Sequence, residues 1–245
     1  MSVFLALGCV EGLRYGHTTA HESAPVLPVS WETVQATLPW LSRPMRGLVL
    51  LLWHTGARPS EVVRLKAIDI DTTGPVWCAR LSEHKNAHRG KARVLWFGPE
   101  SQAVLREFMA RRPVTDALFC PRDEIAQRSE EAECHRRADQ KPNPKKTGRV
   151  VGEWYAAKGI TQSIRRAVQT RNQMLAEKLE RPLKPKEMLE MWHAYRLRHS
   201  FATRARAQFG LEAASASLGH ASVKITELYA LADEQAAREV ARRLG

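Results

Sequence analysis

The chain has 245 residues, with 38 Lys and Arg against 26 Asp and Glu, a formal net charge of +12, and 44% apolar residues. That length suits one large domain or two small ones with a sizeable core, the apolar fraction is too high for a disordered chain, and no apolar run approaches the roughly 18 residues of a membrane span. The basic excess points to a polyanionic partner, nucleic acid first, and says nothing of the fold.

Residues 1–28 read as a linker. Val3–Val10 is a short apolar run with no basic stretch ahead of it, so a signal peptide is not expected, and the Thr, Ser, Pro and His of 17–28 show little periodicity. The cysteines Cys9, Cys78, Cys120 and Cys134 lie far apart without a CxxC pair. A disulfide framework and a zinc site are therefore not expected, and a reducing cytoplasm is.

Folded structure is expected from Val29, with Ser30 as the N-cap of a first helix. Pro44 opens a second, carrying Met45, Leu48, Val49 and Leu52 on one face and ending at Gly56. Pro59 starts a short third helix with Val62, Val63 and Leu65 inward. Residues 76–81 and 92–97 read as strands flanking a long basic loop, a β-hairpin. Pro99 begins a helix with Val104, Leu105, Phe108 and Met109 on one side.

Residues 121–158 break the pattern: 122–137 mixes charges at helical density and 141–149 is rich in Pro and Lys. The whole reads as an exposed, mobile, basic insertion, in which Lys145, Lys146 and Arg149 offer themselves to phosphates, as does Arg93 on the hairpin. Residues 160–180 are helical again. Leu197, Phe201, Ala205 and Phe209 then recur every four residues until Gly210, and short helices follow near 212–218, 223–229 and 233–244. The fold class is mainly α with a small antiparallel β-sheet.

Four segments carry chemistry. In Thr55-Gly56-Ala57-Arg58-Pro59-Ser60-Glu61, Arg58 stands just before a Pro-initiated helix and offers a planar fork suited to phosphate, with Glu61 three residues on. The hairpin loop brings Lys85, a mobile proton donor. Tyr195-Arg196-Leu197-Arg198-His199-Ser200-Phe201 sets Arg198 off the apolar face beside His199. Leu218-Gly219-His220 ends one helix, and Tyr229 follows nine residues later.

In order and spacing these segments, TGARPSE, a hairpin Lys, RLRHSFAT and LGHASVKITELY, resemble the catalytic domain of the tyrosine recombinases, the phage integrase family, over roughly residues 29–235. The resemblance implies that fold for 29–245. It implies that Tyr229 attacks a scissile phosphate of double-stranded DNA, leaving a 3′-phosphotyrosyl link and a free 5′-hydroxyl, with no cofactor and no metal. Arg58 and Arg198 would clamp the phosphate, His220 would donate a hydrogen bond to it, and Lys85 would protonate the leaving oxygen. Glu61 and His199 would support the site.

Two departures stand out. Where the family pattern has His three residues before the second Arg, this chain has Tyr195, a much poorer base near neutral pH, with His193 two residues earlier. The family's separate core-binding domain is expected to be absent, since about 28 residues are too few for one. By the same resemblance, 233–244 would dock a neighbouring protomer in a tetramer on DNA. Three other readings fit the same residues: a DNA-binding remnant, a relaxing enzyme like the type IB topoisomerases, and a basic RNA-associated protein.

Overall fold

The computed structural model describes residues 25–81, 93–110, 112–134, 151–219 and Thr226. Helix α1 (Trp31–Thr37) begins where Ser30 accepts the Thr33 N–H at 3.2 Å, and a 3₁₀ turn (Leu38–Trp40) carries the chain on. Helix α2 (Arg43–Thr55) has Pro44 in its first turn and ends at Gly56, whose φ of 61° is the left-handed cap that glycine adopts without cost. A single turn, α3 (Pro59–Val62), follows.

Strands β1 (Ile70–Asp71), β2 (Trp77–Leu81) and β3 (Arg93–Phe97) form an antiparallel sheet in that order, with Ala79 opposite Leu95 and Leu81 opposite Arg93. Helix α4 (Pro99–Met109) returns along α2. Gly47 makes this approach possible, because a Cβ there would stand 2.5 Å from the Phe108 ring. Helix α5 (Pro121–Cys134) and helix α6 (Ala157–Lys178) precede α7 (Tyr195–Leu218).

The mainly helical reading with one small antiparallel sheet holds. The core centres on α2: Leu48, Val49, Leu51 and Leu52 are fully buried, against Ile160 and Ile164 of α6, Leu197 of α7 and Phe97 of β3. Trp192, which sits in a stretch without periodicity, is buried too, and its indole N–H donates to Thr37 Oγ1 at 3.1 Å. The entering chain is pinned to α7, since the Ser200 hydroxyl accepts from the Val29 N–H at 2.9 Å and donates to the Val29 carbonyl at 2.7 Å.

Two sequence expectations are corrected. The loose insertion does not extend over all of 121–158: residues 121–134 are helical, and Tyr155 is buried with its hydroxyl donating to Glu124 Oε2 at 2.8 Å, so an aromatic anchor ties the far side of the segment to α5. Phe209 does not continue the apolar stripe of α7. Gly210, with φ 84° and ψ 172°, breaks the helix into two halves, and Phe209 beside it is 73% exposed. Among the described residues no helix is long and apolar enough to cross a membrane.

Candidate functional site

Arg58 occupies the N-cap of α3 in an extended conformation, φ −74° and ψ 144°, and Glu61 is the third helical residue. At that spacing the carboxylate folds back on the cap. Glu61 Oε2 accepts the Arg58 backbone N–H at 2.9 Å, and Oε1 accepts Arg58 Nη1 at 2.8 Å. The short Pro-initiated turn thus orients Arg58 through its own helix, leaving the Arg58 side chain only 17% exposed.

A second cation meets the same carboxylate from the sheet. Arg93, Leu95 and Phe97 alternate onto the buried face of β3, while Trp96 faces out. Arg93 is 4% exposed; its Nε and Nη2 point at Glu61 Oε2, at 3.4 and 3.5 Å, and its Nη1 donates to the Ser217 carbonyl of α7 at 3.1 Å. The expectation that Arg93 faces DNA is therefore corrected. Its parity with Leu95 and Phe97 was the available signal, and charge alone pointed the wrong way.

The third cation, Arg198, is fully buried on the first turns of α7. It reaches across two helix ends: Nη1 donates to the Gly56 carbonyl at 2.7 Å and Nη2 to the Leu218 carbonyl at 2.9 Å. Burial and then the charges of Arg58 and Arg93 press its pKa down to about 10, opposed by Glu61 and Tyr195, so it stays protonated at neutral pH. For Glu61 burial pushes the carboxyl up, but Arg93 and the hydrogen bonds and charge of Arg58 outweigh it and leave the group below its ordinary range. Burial lowers Arg93 as well, against the pull of Glu61.

Two guanidinium groups, those of Arg58 and Arg93, thus meet on the Glu61 carboxylate, and the third, of Arg198, is held beside them on the Gly56 and Leu218 carbonyls. The arrangement holds an excess of fixed positive charge where little water screens it. An anion with several acceptor oxygens is the ligand such a cluster favours.

His199 is buried, and its ring meets that of Tyr195 edge-on with centroids 5.7 Å apart. Tyr195 is near enough to act on the charge of Arg198. His193 is lowered by burial and then by Arg196 and Arg165, cations outside the cluster. Arg58, Glu61 and Arg198 are therefore brought together, with Tyr195 and His199 along the same helix. Lys85, His220 and Tyr229 lie outside the described residues, as do Lys145, Lys146, Arg149 and the segment 233–244.

Comparison with known proteins bears on this arrangement. The profile described as the phage integrase family matches residues 34–236. No curated protein matches the chain. Among solved structures it is similar to XerA recombinase, at 19% identity and TM-score 0.56 over 93% of this chain and 67% of that one. It is also similar to XerH site-specific recombinase bound to its difH substrate, at 19% and 0.52 over 94% and 57%. A third likeness is to the Tn1549 transposon integrase in complex with circular intermediate DNA, at 16% and 0.58 over 91% and 69%. At these identities the likeness establishes the fold, and the chain spans little more than half to about two thirds of the length of these structures.

Proposed function

The chain belongs to the phage integrase family, and from that premise we propose that it cuts and rejoins double-stranded DNA as a site-specific tyrosine recombinase, with residues 29–245 as the catalytic unit. The observation that carries this reading is that Arg198, 140 positions from Arg58 in the sequence, reaches the carbonyl of Gly56, two residues before Arg58, while Arg58 is held by Glu61.

In the proposed reaction the Tyr229 oxygen attacks the scissile phosphorus. The phenol proton leaves to a base, a P–O bond to tyrosine forms, and the bond to the 5′-oxygen breaks. Lys85 gives that oxygen its proton. The product is a 3′-phosphotyrosyl enzyme and a 5′-hydroxyl, and attack by another strand's 5′-hydroxyl reverses the step on a new partner. No bond energy is lost, so no cofactor is consumed. As attack proceeds, negative charge grows on the non-bridging oxygens, where Arg58 and Arg198 supply preorganised positive charge and His220 a further donor. Glu61 holds Arg58 by both its backbone and its guanidinium.

One observation favours a second reading, a DNA-binding remnant that no longer cleaves. Tyr195 stands at the position of the expected base, half-buried and packed edge-on against His199. Nicked duplexes of randomised sequence, which trap a covalent intermediate by losing the short 5′-hydroxyl strand, separate the two. The recombinase reading expects an adduct on denaturing gels that disappears in Tyr229→Phe. Duplex binding with no adduct on any sequence in the pool would leave the remnant reading. Supercoil relaxation without strand exchange would point instead to a topoisomerase-like activity.

A further inference from the structure

The β3 arginine is neither at the surface nor needed to close the apolar core, yet it joins three parts of the cluster. Arg93 places Nε and Nη2 against Glu61 Oε2 and sends Nη1 to the Ser217 carbonyl, in the last turn of α7. Two residues further on, Gly219 ends the helix at φ 63°. It lies so close to the same guanidinium that a Cβ there would stand 2.5 Å from Arg93 Nη1. The turn is thus shaped around Arg93, and His220 is the next residue along the chain.

We propose that Arg93 is a positioning residue of the cleavage site, bridging the carboxylate that holds Arg58 to the end of α7 and thereby fixing the turn at Gly219 from which His220 departs. The proposal rests on the recombinase reading given above and adds a residue to it. Arg93 is 4% exposed and its guanidinium is taken up by the Glu61 carboxylate and the Ser217 carbonyl. Its planar fork serves two acceptors in different directions, one a side chain and one a backbone carbonyl, which a lysine ammonium on a flexible stem does less well. With it in place, the carboxylate that holds Arg58 and the end of α7 are tied by a single side chain from the sheet.

The test uses the full chain, the Arg93→Gln and Arg93→Lys variants, and the randomised nicked duplexes. Three quantities are measured: the single-turnover rate of adduct formation, the affinity for the same DNA, and backbone amide exchange over residues 213–219. In Arg93→Gln the adduct rate falls about 10–100-fold, the size found when a partner that orients an active group is removed, while affinity stays within about threefold. Exchange at Gly219 quickens. Arg93→Lys recovers part of the rate, because charge beside Glu61 is restored. The acid limb of the Arg93→Gln rate profile also moves to higher pH, since Glu61 then faces only Arg58 and the more distant Arg198 while its burial remains.

Wild-type rate and exchange in Arg93→Gln overturn the proposal. So does a loss of affinity that matches the loss of rate, which would make Arg93 a DNA contact after all. Should Arg93→Gln not fold, Arg93→Lys is read on the same three measurements. If the wild type forms no adduct at all, the recombinase reading fails, while amide exchange still decides whether Arg93 holds the turn.

Discussion

Two regions of this molecule are equally buried and chemically opposite. Around α2, Leu48, Val49, Leu51 and Leu52 exclude water with nothing but hydrocarbon. Elsewhere in the same fold, Glu61, Arg93 and Arg198 are almost as deeply enclosed, and all three are charged. The first region stabilises the fold by removing apolar surface from water. The second does so poorly, because the desolvation of ions offsets much of their mutual attraction. A cluster of three cations with one carboxylate is not what packing alone would select. Beside a well-made core, the mutual attraction of these charges therefore adds little net stability of its own.

The contrast can be broken by substitution. Glu61→Ala strands Arg58, Arg93 and Arg198 without their carboxylate and should cost about 3–5 kcal/mol of unfolding free energy, the range for breaking a buried pair. Denaturant titration measures it, and a loss below about 1 kcal/mol would mean that the cations are better solvated than their burial implies. Leu52→Ala removes hydrocarbon from the fully packed side and should cost about 3 kcal/mol through cavity formation. Unlike Glu61→Ala, it leaves adduct formation intact at temperatures where the protein is folded. If both variants lose activity alike, the separation between scaffold and site is wrong.

The paired substitution Glu61→Leu with Arg93→Leu sharpens the comparison further. Replacing a buried ion pair by hydrocarbon is often neutral or stabilising, so the double variant should regain stability to within about 1–2 kcal/mol of wild type while adduct formation stays lost. The smallest effect is in acid. Because the Glu61 carboxyl is held below its ordinary value of 4.5, its contribution is complete above that pH and fades as pH falls through the folded value. Glu61→Gln should therefore show a flatter loss of stability below about pH 4.5 than wild type, read as unfolding midpoints across that window.

Much of the scaffold was legible because local chemistry dictated it. Ser30 capped the helix it was expected to cap, Pro44 and Pro59 opened helices, Gly56 closed one, and the strand-like runs read at 76–81 and 92–97 formed paired strands at Trp77–Leu81 and Arg93–Phe97. Bringing Arg58 to Arg198 was a different matter, since no local rule joins positions 140 apart; there the resemblance supplied what periodicity could not. Failures came where one rule overrode another. A spacing of four put Phe209 on the apolar stripe, but Gly210 turned the chain and left the ring in solvent. Charge put Arg93 outside, but strand parity put it inside. Trp192 had no signal at all, for its burial depends on Thr37, a partner 155 positions away.

The grip of Arg198 has one more consequence. Its two terminal nitrogens hold the Gly56 and Leu218 carbonyls at 2.7 and 2.9 Å, the closing oxygens of α2 and of α7. Each helix terminus carries a partial negative charge there, and one side chain answers both. The two rods are thus pinned to each other at their ends as well as through the core, and lysine is a poor replacement although it conserves the charge: an ammonium on a flexible stem lacks the fixed planar fork that spans both oxygens.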